Sequence, residues 1–190
     1  MFAMAVDLDG RDVIVVGAGR LGAHKAEQLL EANARVTVIA LEVLAPLPAG
    51  IASLVVRGYR PGDLAGAFLV VSATGDPLVN NLIVAEATDR GLLINVVDDP
   101  TRSNFYFTAV HRDGDVVVSV STSGASPALA QWIRTTVANV LPTNLASVAA
   151  RLRAERAVVH AQGKSTEGYP WAARVRAVID DVETESSRNE

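Results

Sequence analysis

The chain has 190 residues, no cysteine and a formal net charge of −4. This length suits one domain with a small appendage, and the lack of cysteine excludes disulfides, thiolate metal sites and a cysteine nucleophile. The mild acidity argues against the basic face of a general nucleic-acid binder, and no apolar run reaches the roughly 20 residues that span a bilayer. We therefore expect a soluble, cytoplasmic protein that binds neither nucleic acid nor membrane.

The first half of the chain alternates predicted strands with predicted helices. Short β-branched runs predict strands that are buried on both faces. They lie at residues 12–16, 35–40, 54–56, 68–73 and 92–97. A helix with one apolar face follows the first strand, and another begins after Asp76, a predicted N-cap, and ends before Gly91. This alternation indicates an α/β fold with a doubly wound parallel sheet of the Rossmann type.

The pattern changes after about residue 105. Residues 105–110 and 115–120 predict an antiparallel pair of strands joined at Asp113-Gly114. A polar loop then precedes a helix that Ser126 is predicted to cap. From Asn144 onward the sequence predicts helix, with a charged, frayed end over 183–190.

Three glycines between the first strand and the first helix occupy the positions of the dinucleotide fingerprint. Gly17 permits the tight turn, Gly19 lets the backbone approach the pyrophosphate, and Gly22 lets the helix pack closely on the strand. The N–H groups of Arg20, Leu21 and Gly22 would then face the phosphates. A glycine turn that binds no ligand is the structural alternative.

The choice of nucleotide depends on the end of the second strand, where an acidic residue typically binds the ribose hydroxyls of NAD. Ile39 and Ala40 are apolar, and the nearest carboxylate is that of Glu42. It lies about twenty residues past the loop, as the fingerprint requires. No arginine stands nearby to bind a 2′-phosphate, so the pattern favours NAD over NADP. The alternative for Glu42 is a solvated loop charge.

Ligands of such sheets bind outside the carboxyl ends of the strands. Thr74 and Asp76 follow the fourth predicted strand, and Asn95, Asp98 and Asp99 lie around the fifth. Repulsion between the adjacent carboxylates of Asp98 and Asp99 could raise one pKa into the range of a general base. The alternative is a solvated turn.

The loop from Ser121 to Ser126 is a second candidate site. Its hydroxyl and N–H groups precede a capped helix, which suits an anionic group of a substrate, although capping alone would explain Ser126. His111 flanks the predicted hairpin turn and could face a cleft, whereas His24 and His160 are far from it in sequence. The sequence contains no nucleophile elbow and no Walker lysine motif.

A series of short motifs occurs in one order along the chain. They are Gly17-Ala18-Gly19, Lys25-Ala26, residues 34–40, Ser72-Ala73-Thr74, Val79-Asn80, Asn95-Val96-Val97-Asp98 and residues 121–127. Each motif is loose by itself, but the ordered set resembles the precorrin-2 dehydrogenase family, the NAD-dependent module of siroheme synthases. The match runs from about Asp9 to about Pro142.

The resemblance implies a Rossmann domain over 1–112, a dimerisation segment over 113–143 and a helical part over 144–190. It implies a homodimer that oxidises precorrin-2 to sirohydrochlorin with NAD⁺ in siroheme biosynthesis. Some members also insert Fe²⁺, as ferrochelatases. The essential aspartate of the family matches Asp98, to which it assigns base catalysis and transient contact with the metal.

The residues and the resemblance together give two sets of candidate site residues. Predicted to bind the cofactor are Gly17, Gly19, Arg20, Leu21, Gly22, Leu41, Glu42, Thr74 and Asn95. Predicted to bind the substrate are Ser121, Thr122, Ser123, Gly124, Ser126, Arg102, Arg112, Arg134 and His111. The arginines are chosen because the substrate carries many carboxylates.

Two segments depart from the family pattern. Gly75-Asp76 stands where the family usually has acidic residues, and Gly22 stands where alanine is common.

Without cysteine and with scattered histidines, only Asp98 and His111 could contact a metal ion. Two alternatives stay open: a nucleotide-sensing module without turnover, and a tetrapyrrole-binding relative that has lost oxidation. Asp98 and the loop 121–126 favour the enzyme, because sensing needs neither.

Overall fold

The computed structural model describes residues 2–188. It divides into two compact units, of which the first ends at Phe107 and the second begins at Thr108. This boundary precedes residue 112, the predicted end of the Rossmann domain. The reason is that the strand beginning at Ala109 pairs only with the strand that follows it.

The first unit contains a five-stranded parallel sheet. Its strands are β1 (Asp12–Ala18), β2 (Arg35–Val43), β3 (Ser53–Val56), β4 (Leu69–Ser72) and β5 (Leu93–Val96). The strand order β3-β2-β1-β4-β5 confirms the predicted doubly wound Rossmann-type sheet. β1 and β4 are adjacent although β2 and β3 separate them in sequence. Their junction is therefore the switch point at which such sheets bind ligands.

Two helices, α1 (Arg20–Leu30) and α2 (Pro77–Asp89), pack against the sheet on opposite sides. Because successive side chains of a strand point to opposite faces, Val15 of β1 joins the core with Leu29 of α1. Its neighbour Val16 joins the core with Ile83 of α2. Both faces of β1 are thus buried, which explains its uninterrupted apolar sequence.

The start and end of α2 confirm their prediction. The Asp76 carboxylate accepts hydrogen bonds from the N–H groups of Leu78, at 2.8 Å, and Val79, at 3.4 Å. Pro77 fills the first helical position, where its missing N–H leaves no acceptor unpaired. After the helix, Gly91 has a φ of 67°, the left-handed conformation that ends many helices.

The second unit consists of an antiparallel hairpin and three helices. The elements are β6 (Ala109–Asp113), β7 (Val116–Val120), α3 (Pro127–Val140), α4 (Leu145–Ala161) and α5 (Trp171–Arg188). The predicted hairpin is confirmed, but residues 105–108 are not part of it. Phe105 and Phe107 instead pack against the core of the first unit. The Ser126 hydroxyl caps α3 as predicted, accepting the Leu129 N–H at 3.2 Å.

The C-terminal region is two helices, where the sequence predicts one. Residues 162–170 interrupt it, since Gly163 and Gly168 have φ values of 68° and 82°. α4 and α5 pack through Val148, Val178 and Val182. Of the predicted frayed end, residues 183–188 are helical, and 189–190 lie outside the described residues. Among residues 2–188, no helix combines the length and the apolar character needed to cross a membrane.

Candidate active site

The glycine loop joins β1 to α1 at the carboxyl edge of the sheet. Gly17 has a φ of 108°, and a Cβ there would lie 2.5 Å from the carbonyl oxygen of Ala73. Gly22 is buried in α1, where a Cβ would lie 3.0 Å from the carbonyl carbon of Gly17 and closer still to its oxygen. Backbone therefore occupies the space of a side chain at both positions, as the fingerprint predicts.

Gly19 differs from these two glycines because the space around it is open. It is the N-cap of α1, and apart from its chain neighbours no heavy atom of residues 2–188 lies within 4 Å of the position of a Cβ. The first hydrogen bond of the helix runs from the Ala23 N–H to the Gly19 carbonyl. The N–H groups of Arg20, Leu21 and Gly22 thus have no acceptor within the helix. Open space beside free N–H groups at a helix N-terminus fits the pyrophosphate of a dinucleotide.

Leu41 and Glu42 lie inside β2, which extends to Val43 instead of ending at residue 40 as predicted. A bulge in β1 makes this extension possible, since Ala18 pairs with Val43 after the register shifts. The Leu44 N–H also donates to the Ala18 carbonyl at 2.9 Å. Both side chains are exposed, Leu41 by 74% of its surface. Glu42 is therefore an exposed strand residue beside the glycine loop.

Arg20 lines a surface cavity of about 440 Å³ between α1 and the segment that follows β2. The other lining residues are Ala23, His24, Glu27 and residues 45–48. Arg20 therefore faces the side of the glycine loop on which Leu41 and Glu42 lie.

Thr74 lies in the loop between β4 and α2, beside β1. Its hydroxyl oxygen accepts the Asp76 N–H at 3.1 Å, and its carbonyl oxygen accepts Nδ2 of Asn80 at 3.3 Å. Asn80 is buried in α2 and accepts the Ser72 hydroxyl at 2.6 Å. Sequence reasoning assigned no role to Asn80 itself. The available signal was an amide on the buried face of a helix that packs on a parallel sheet.

Asp98 occupies the turn that follows β5. The Asp99 N–H donates to the Val96 carbonyl at 3.0 Å, so residues 96–99 form a β-turn with Asp98 at its third position. Its φ is 62°, where such turns favour glycine or asparagine. Among residues 2–188, no side chain hydrogen-bonds or ion-pairs with the exposed Asp98 carboxylate. An aspartate without a side-chain partner in the described part of the chain thus occupies a left-handed position at the carboxyl edge.

The adjacent Asp99 has a different environment. It caps the short 3₁₀ helix Pro100–Arg102, and its carboxylate accepts the Thr101 hydroxyl at 2.7 Å and Nε of Arg102 at 2.6 Å. These hydrogen bonds from Thr101 and Arg102 lower the pKa of Asp99. The expectation that repulsion between the two aspartates raises one pKa is therefore wrong for Asp99. Arg102 also donates to Asn81 at 2.8 Å, so its guanidinium already has two partners in this unit.

The turn that carries Asp98 is fixed by side chains that cover the edge of β5. Asn104 accepts the Ile94 N–H at 2.7 Å, and the Ser103 hydroxyl oxygen accepts the Val96 N–H at 2.9 Å. The Ser103 hydroxyl also donates to the Asp99 carbonyl at 2.9 Å. Sequence reasoning missed both residues, because nothing local identifies the strand that they cover. Asn95, predicted to bind the cofactor, is buried and donates to the Phe105 carbonyl at 3.1 Å.

The loop 121–126 belongs to the second unit and hydrogen-bonds largely to itself. The Thr122 hydroxyl donates to the Ser126 carbonyl at 3.0 Å and accepts the Ser126 N–H at 3.2 Å. The Ser121 hydroxyl oxygen accepts the Ser123 N–H at 3.2 Å. Ser123 and Gly124 have φ values of 54° and 83°. The loop is thus a defined turn leading into α3.

The remaining predicted substrate residues are also in the second unit. Arg112 is exposed on β6, and His111 is half-buried opposite Val118. Arg134 of α3 donates to Gln131 at 2.8 Å, while its Nε is buried without a hydrogen-bond partner in the described chain. Neither Arg112 nor Arg134 forms an ion pair within residues 2–188. Over the same residues, no group of three or more His, Cys, Asp or Glu side chains could hold a metal ion.

The structure thus brings one set of predicted residues to a single edge. All of them belong to the first unit, at the carboxyl ends of β1, β2, β4 and β5. They are the three loop glycines, Arg20, Leu21, Leu41, Glu42, Thr74, Asn95 and Asp98. Parallel strands end at the same side of a sheet, so this edge is the candidate site for the cofactor and its chemistry.

Comparison with known proteins agrees with this geometry. Residues 4–109 match the NAD_binding_7 family, described as "Putative NAD(P)-binding". The chain belongs to this family. The NAD(P)-binding match spans the sheet and the glycine loop, which supports a nicotinamide dinucleotide as the cofactor.

Curated relatives of this NAD(P)-binding chain are siroheme synthases. Siroheme synthase 2 of Aeromonas salmonicida is 38% identical over 144 residues, which cover 75% of this chain and 30% of that protein. Siroheme synthase of Pseudomonas entomophila is 39% identical over 153 residues, or 77% of this chain and 33% of that protein. The chain spans about a third of the length of these relatives. The predicted resemblance is confirmed.

A solved structure described as SirC, precorrin-2 dehydrogenase, has the same fold. Its TM-score is 0.72 at 23% sequence identity, and the match covers 96% of this chain and 89% of that one. The agreement extends through the hairpin and the helices of the second unit. It confirms the predicted succession of a Rossmann-type sheet, a small α+β segment and a helical C-terminal part.

Proposed function

We propose that the chain oxidises precorrin-2 to sirohydrochlorin with NAD⁺ as the hydride acceptor. The observation that carries this proposal is the Asp98 carboxylate, which has no side-chain partner among residues 2–188 and lies in a left-handed turn at the edge that also bears the glycine loop. A non-glycine residue in such a conformation is often retained for function. The description of SirC as a precorrin-2 dehydrogenase supplies the substrate, and the siroheme synthases supply the biosynthetic context.

The reaction removes one hydride and one proton from the substrate. NAD⁺, when bound, supplies the acceptor for the hydride. Asp98 takes the proton, because its carboxylate has no hydrogen bond or ion pair to give up within the described chain. Asp99 cannot replace it, since Thr101 and Arg102 occupy its carboxylate and hold its pKa low.

The free N–H groups at the start of α1 would hold the pyrophosphate, and Glu42 would accept hydrogen bonds from the adenosine ribose. A carboxylate at this position repels the 2′-phosphate of NADP, so the proposal specifies NAD⁺. Leu41, exposed beside Glu42, offers apolar surface to the adenine.

Binding of the carboxylates of the tetrapyrrole is a separate part of the proposal. Arg112 and Arg134 are suited to this role, since neither is paired with an acidic side chain in the described chain. Arg102 is less suited, because Asp99 and Asn81 already bind its guanidinium. The loop 121–126 would contribute N–H and hydroxyl groups. We retain His111 as a candidate contact.

We also propose that the chain forms a homodimer through its second unit. Trp132 and Leu129 of α3 are exposed over 66% and 47% of their surfaces. Residues three positions apart lie on one face of a helix, so these two side chains offer a shared apolar surface that a second copy of the chain would bury. A cytoplasmic location stays a prediction.

The proposal is tested by mixing purified protein with precorrin-2 and NAD⁺, without metal, and following NADH by absorbance. We expect sirohydrochlorin and NADH in equal amounts, and much less turnover with NADP⁺. Nucleotide binding without NADH formation would contradict the proposal and favour a sensing module or an inactive relative. Fe²⁺ insertion, which the resemblance also implies, stays a prediction. The same mixture with sirohydrochlorin and Fe²⁺ added tests it through the spectrum of siroheme.

A further inference from the structure

We infer that Asn80 is a positioning residue that fixes the β4–α2 loop, residues 73–76, in the shape that nucleotide binding requires. The inference rests on the proposed function only at the level of nucleotide binding. Asn80 lies in α2 and touches neither the glycine loop nor Asp98 through any hydrogen bond of its side chain. It would therefore act through Thr74 alone.

The first observation is the burial of a satisfied amide where an apolar side chain would pack well. Only 8% of Asn80 is exposed, on the face of α2 that carries Ile83 and Ala87 into the core. A buried amide is retained only where its hydrogen bonds compensate for lost hydration. Its Oδ1 accepts the Ser72 hydroxyl at 2.6 Å, and its Nδ2 donates to the Thr74 carbonyl at 3.3 Å. One amide thus ties the end of β4 to the loop that follows.

The second observation is where that loop lies. The Ala73 N–H donates to the Val16 carbonyl at 2.8 Å, so the loop continues the pairing of β4 with β1. A Cβ at Gly17 would lie 2.5 Å from the Ala73 carbonyl oxygen and 3.1 Å from the Thr74 nitrogen. The Thr74–Gly75 peptide that Asn80 holds therefore directly follows the Ala73–Thr74 peptide, which packs on the glycine turn. If Thr74 moves, the wall of the pyrophosphate site moves with it.

The alternative is that the Asn80 amide only stabilises the fold. Two variants distinguish this role from the positioning of the β4–α2 loop. Ser72→Ala removes one hydrogen bond of the amide but leaves Nδ2 on the Thr74 carbonyl. Asn80→Asp leaves an acceptor for the Ser72 hydroxyl but has no N–H to donate to Thr74. Both variants disturb the same buried pair, so both should lower the melting temperature. Only the second releases the loop.

The test is a fluorescence titration with NADH, which needs no turnover, combined with thermal unfolding of each variant. We expect Asn80→Asp to raise the Kd for NADH by about tenfold, the equivalent of one hydrogen bond, and Ser72→Ala to change it by less than about threefold. If Asn80→Asp does not fold, Ser72→Ala/Asn80→Ala replaces it. This double variant removes the polar pair together and should show the same loss relative to Ser72→Ala.

The inference about Asn80 would be overturned if Ser72→Ala and Asn80→Asp lost NADH affinity equally, or if the losses were proportional to the decreases in melting temperature. Neither result would contradict the proposed function. A wild-type protein that binds no NADH would contradict the proposed function, and the inference with it. The two failures are therefore distinguishable in one set of titrations.

Discussion

Alanine at Gly22 should destabilise the first unit, because the new Cβ meets backbone. It would lie 3.0 Å from the carbonyl carbon of Gly17, with the oxygen closer still, against a favourable separation of about 3.5–4.0 Å. A backbone carbonyl cannot rotate away, so we expect the upper end of overpacking, about 3 kcal/mol. The higher helix propensity of alanine offsets about 1 kcal/mol. The net loss of about 2 kcal/mol lowers the melting temperature by about 4–8 °C.

Gly19→Ala is the matched control, since the two glycines are three residues apart and differ in surroundings. Apart from its chain neighbours, no heavy atom of the described residues lies within 4 Å of a Cβ at Gly19, and its φ of −81° suits alanine. The free energy of unfolding should change by less than about 0.5 kcal/mol. The added methyl group instead obstructs the approach of the pyrophosphate to the N–H groups. Loss of one charge-assisted hydrogen bond, about 1.5–3 kcal/mol, weakens NADH binding roughly 10- to 100-fold.

Thermal unfolding followed by circular dichroism and titration with NADH measure the two effects separately. The expected pattern is a lower melting temperature for Gly22→Ala and lower affinity at unchanged stability for Gly19→Ala. A Gly22→Ala protein that melts with the wild type would refute the close-packing interpretation. A Gly19→Ala protein that binds NADH as tightly as the wild type would refute the pyrophosphate assignment.

Two further predictions concern stability elsewhere in the chain. Gly114 has a φ of 56° and a Cβ there would lie 2.7 Å from Cβ of Ala146, whereas Gly163, with a φ of 68°, has open space. Gly114→Ala should therefore lower the free energy of unfolding by about 2–5 kcal/mol, and Gly163→Ala by only about 1–2 kcal/mol. Equal melting temperatures of the two variants would contradict this expectation. Burial alone would raise the pKa of Glu86, but the hydrogen bonds it accepts, first from Tyr59, bring it below its ordinary 4.5. The ionised Glu86 carboxylate therefore stabilises the folded state fully above pH 4.5, its ordinary pKa, and this stabilisation is lost as the pH falls through the lowered pKa. Glu86→Gln should flatten the acid dependence of stability in denaturant titrations, and an unchanged slope would refute the assignment.

The sheet and its caps were predictable because their signals are local. Five apolar runs identify the strands, and Asp76 and Ser126 each precede a proline that opens a helix. The glycine loop was predictable for the same reason. Each of its glycines has a separate steric cause that the fingerprint already contains.

The features that sequence reasoning missed depend on contacts between distant residues. β2 extends past residue 40 because a bulge in β1 places Ala18 opposite Val43, and no local sequence pattern predicts this bulge. Ser103 and Asn104 cover the edge of β5 only because the turn at Asp98 brings them there. Gly163 and Gly168 are a local signal for the helical break at 162–170. The helical spacing of apolar residues nevertheless predicts one continuous helix.

The environment of Asp99 illustrates the same limit. Adjacent aspartates suggest mutual repulsion, yet Arg102, three residues later, neutralises one of them. The spacing was visible in the sequence, but the 3₁₀ turn that makes the ion pair possible was not. The structure thereby separates two carboxylates that their adjacency in the sequence does not distinguish.

The measurement that tests the central claim most directly is NADH formation from precorrin-2 and NAD⁺ by Asp98→Asn beside the wild type. Asparagine tolerates the φ of 62° and preserves the shape of the side chain, so melting temperature and NADH affinity should be unchanged. We expect turnover to fall by about 10²–10⁴-fold, the usual contribution of a general base. Turnover within a few-fold of the wild type would show that Asp98 is not the base and would contradict the assigned chemistry.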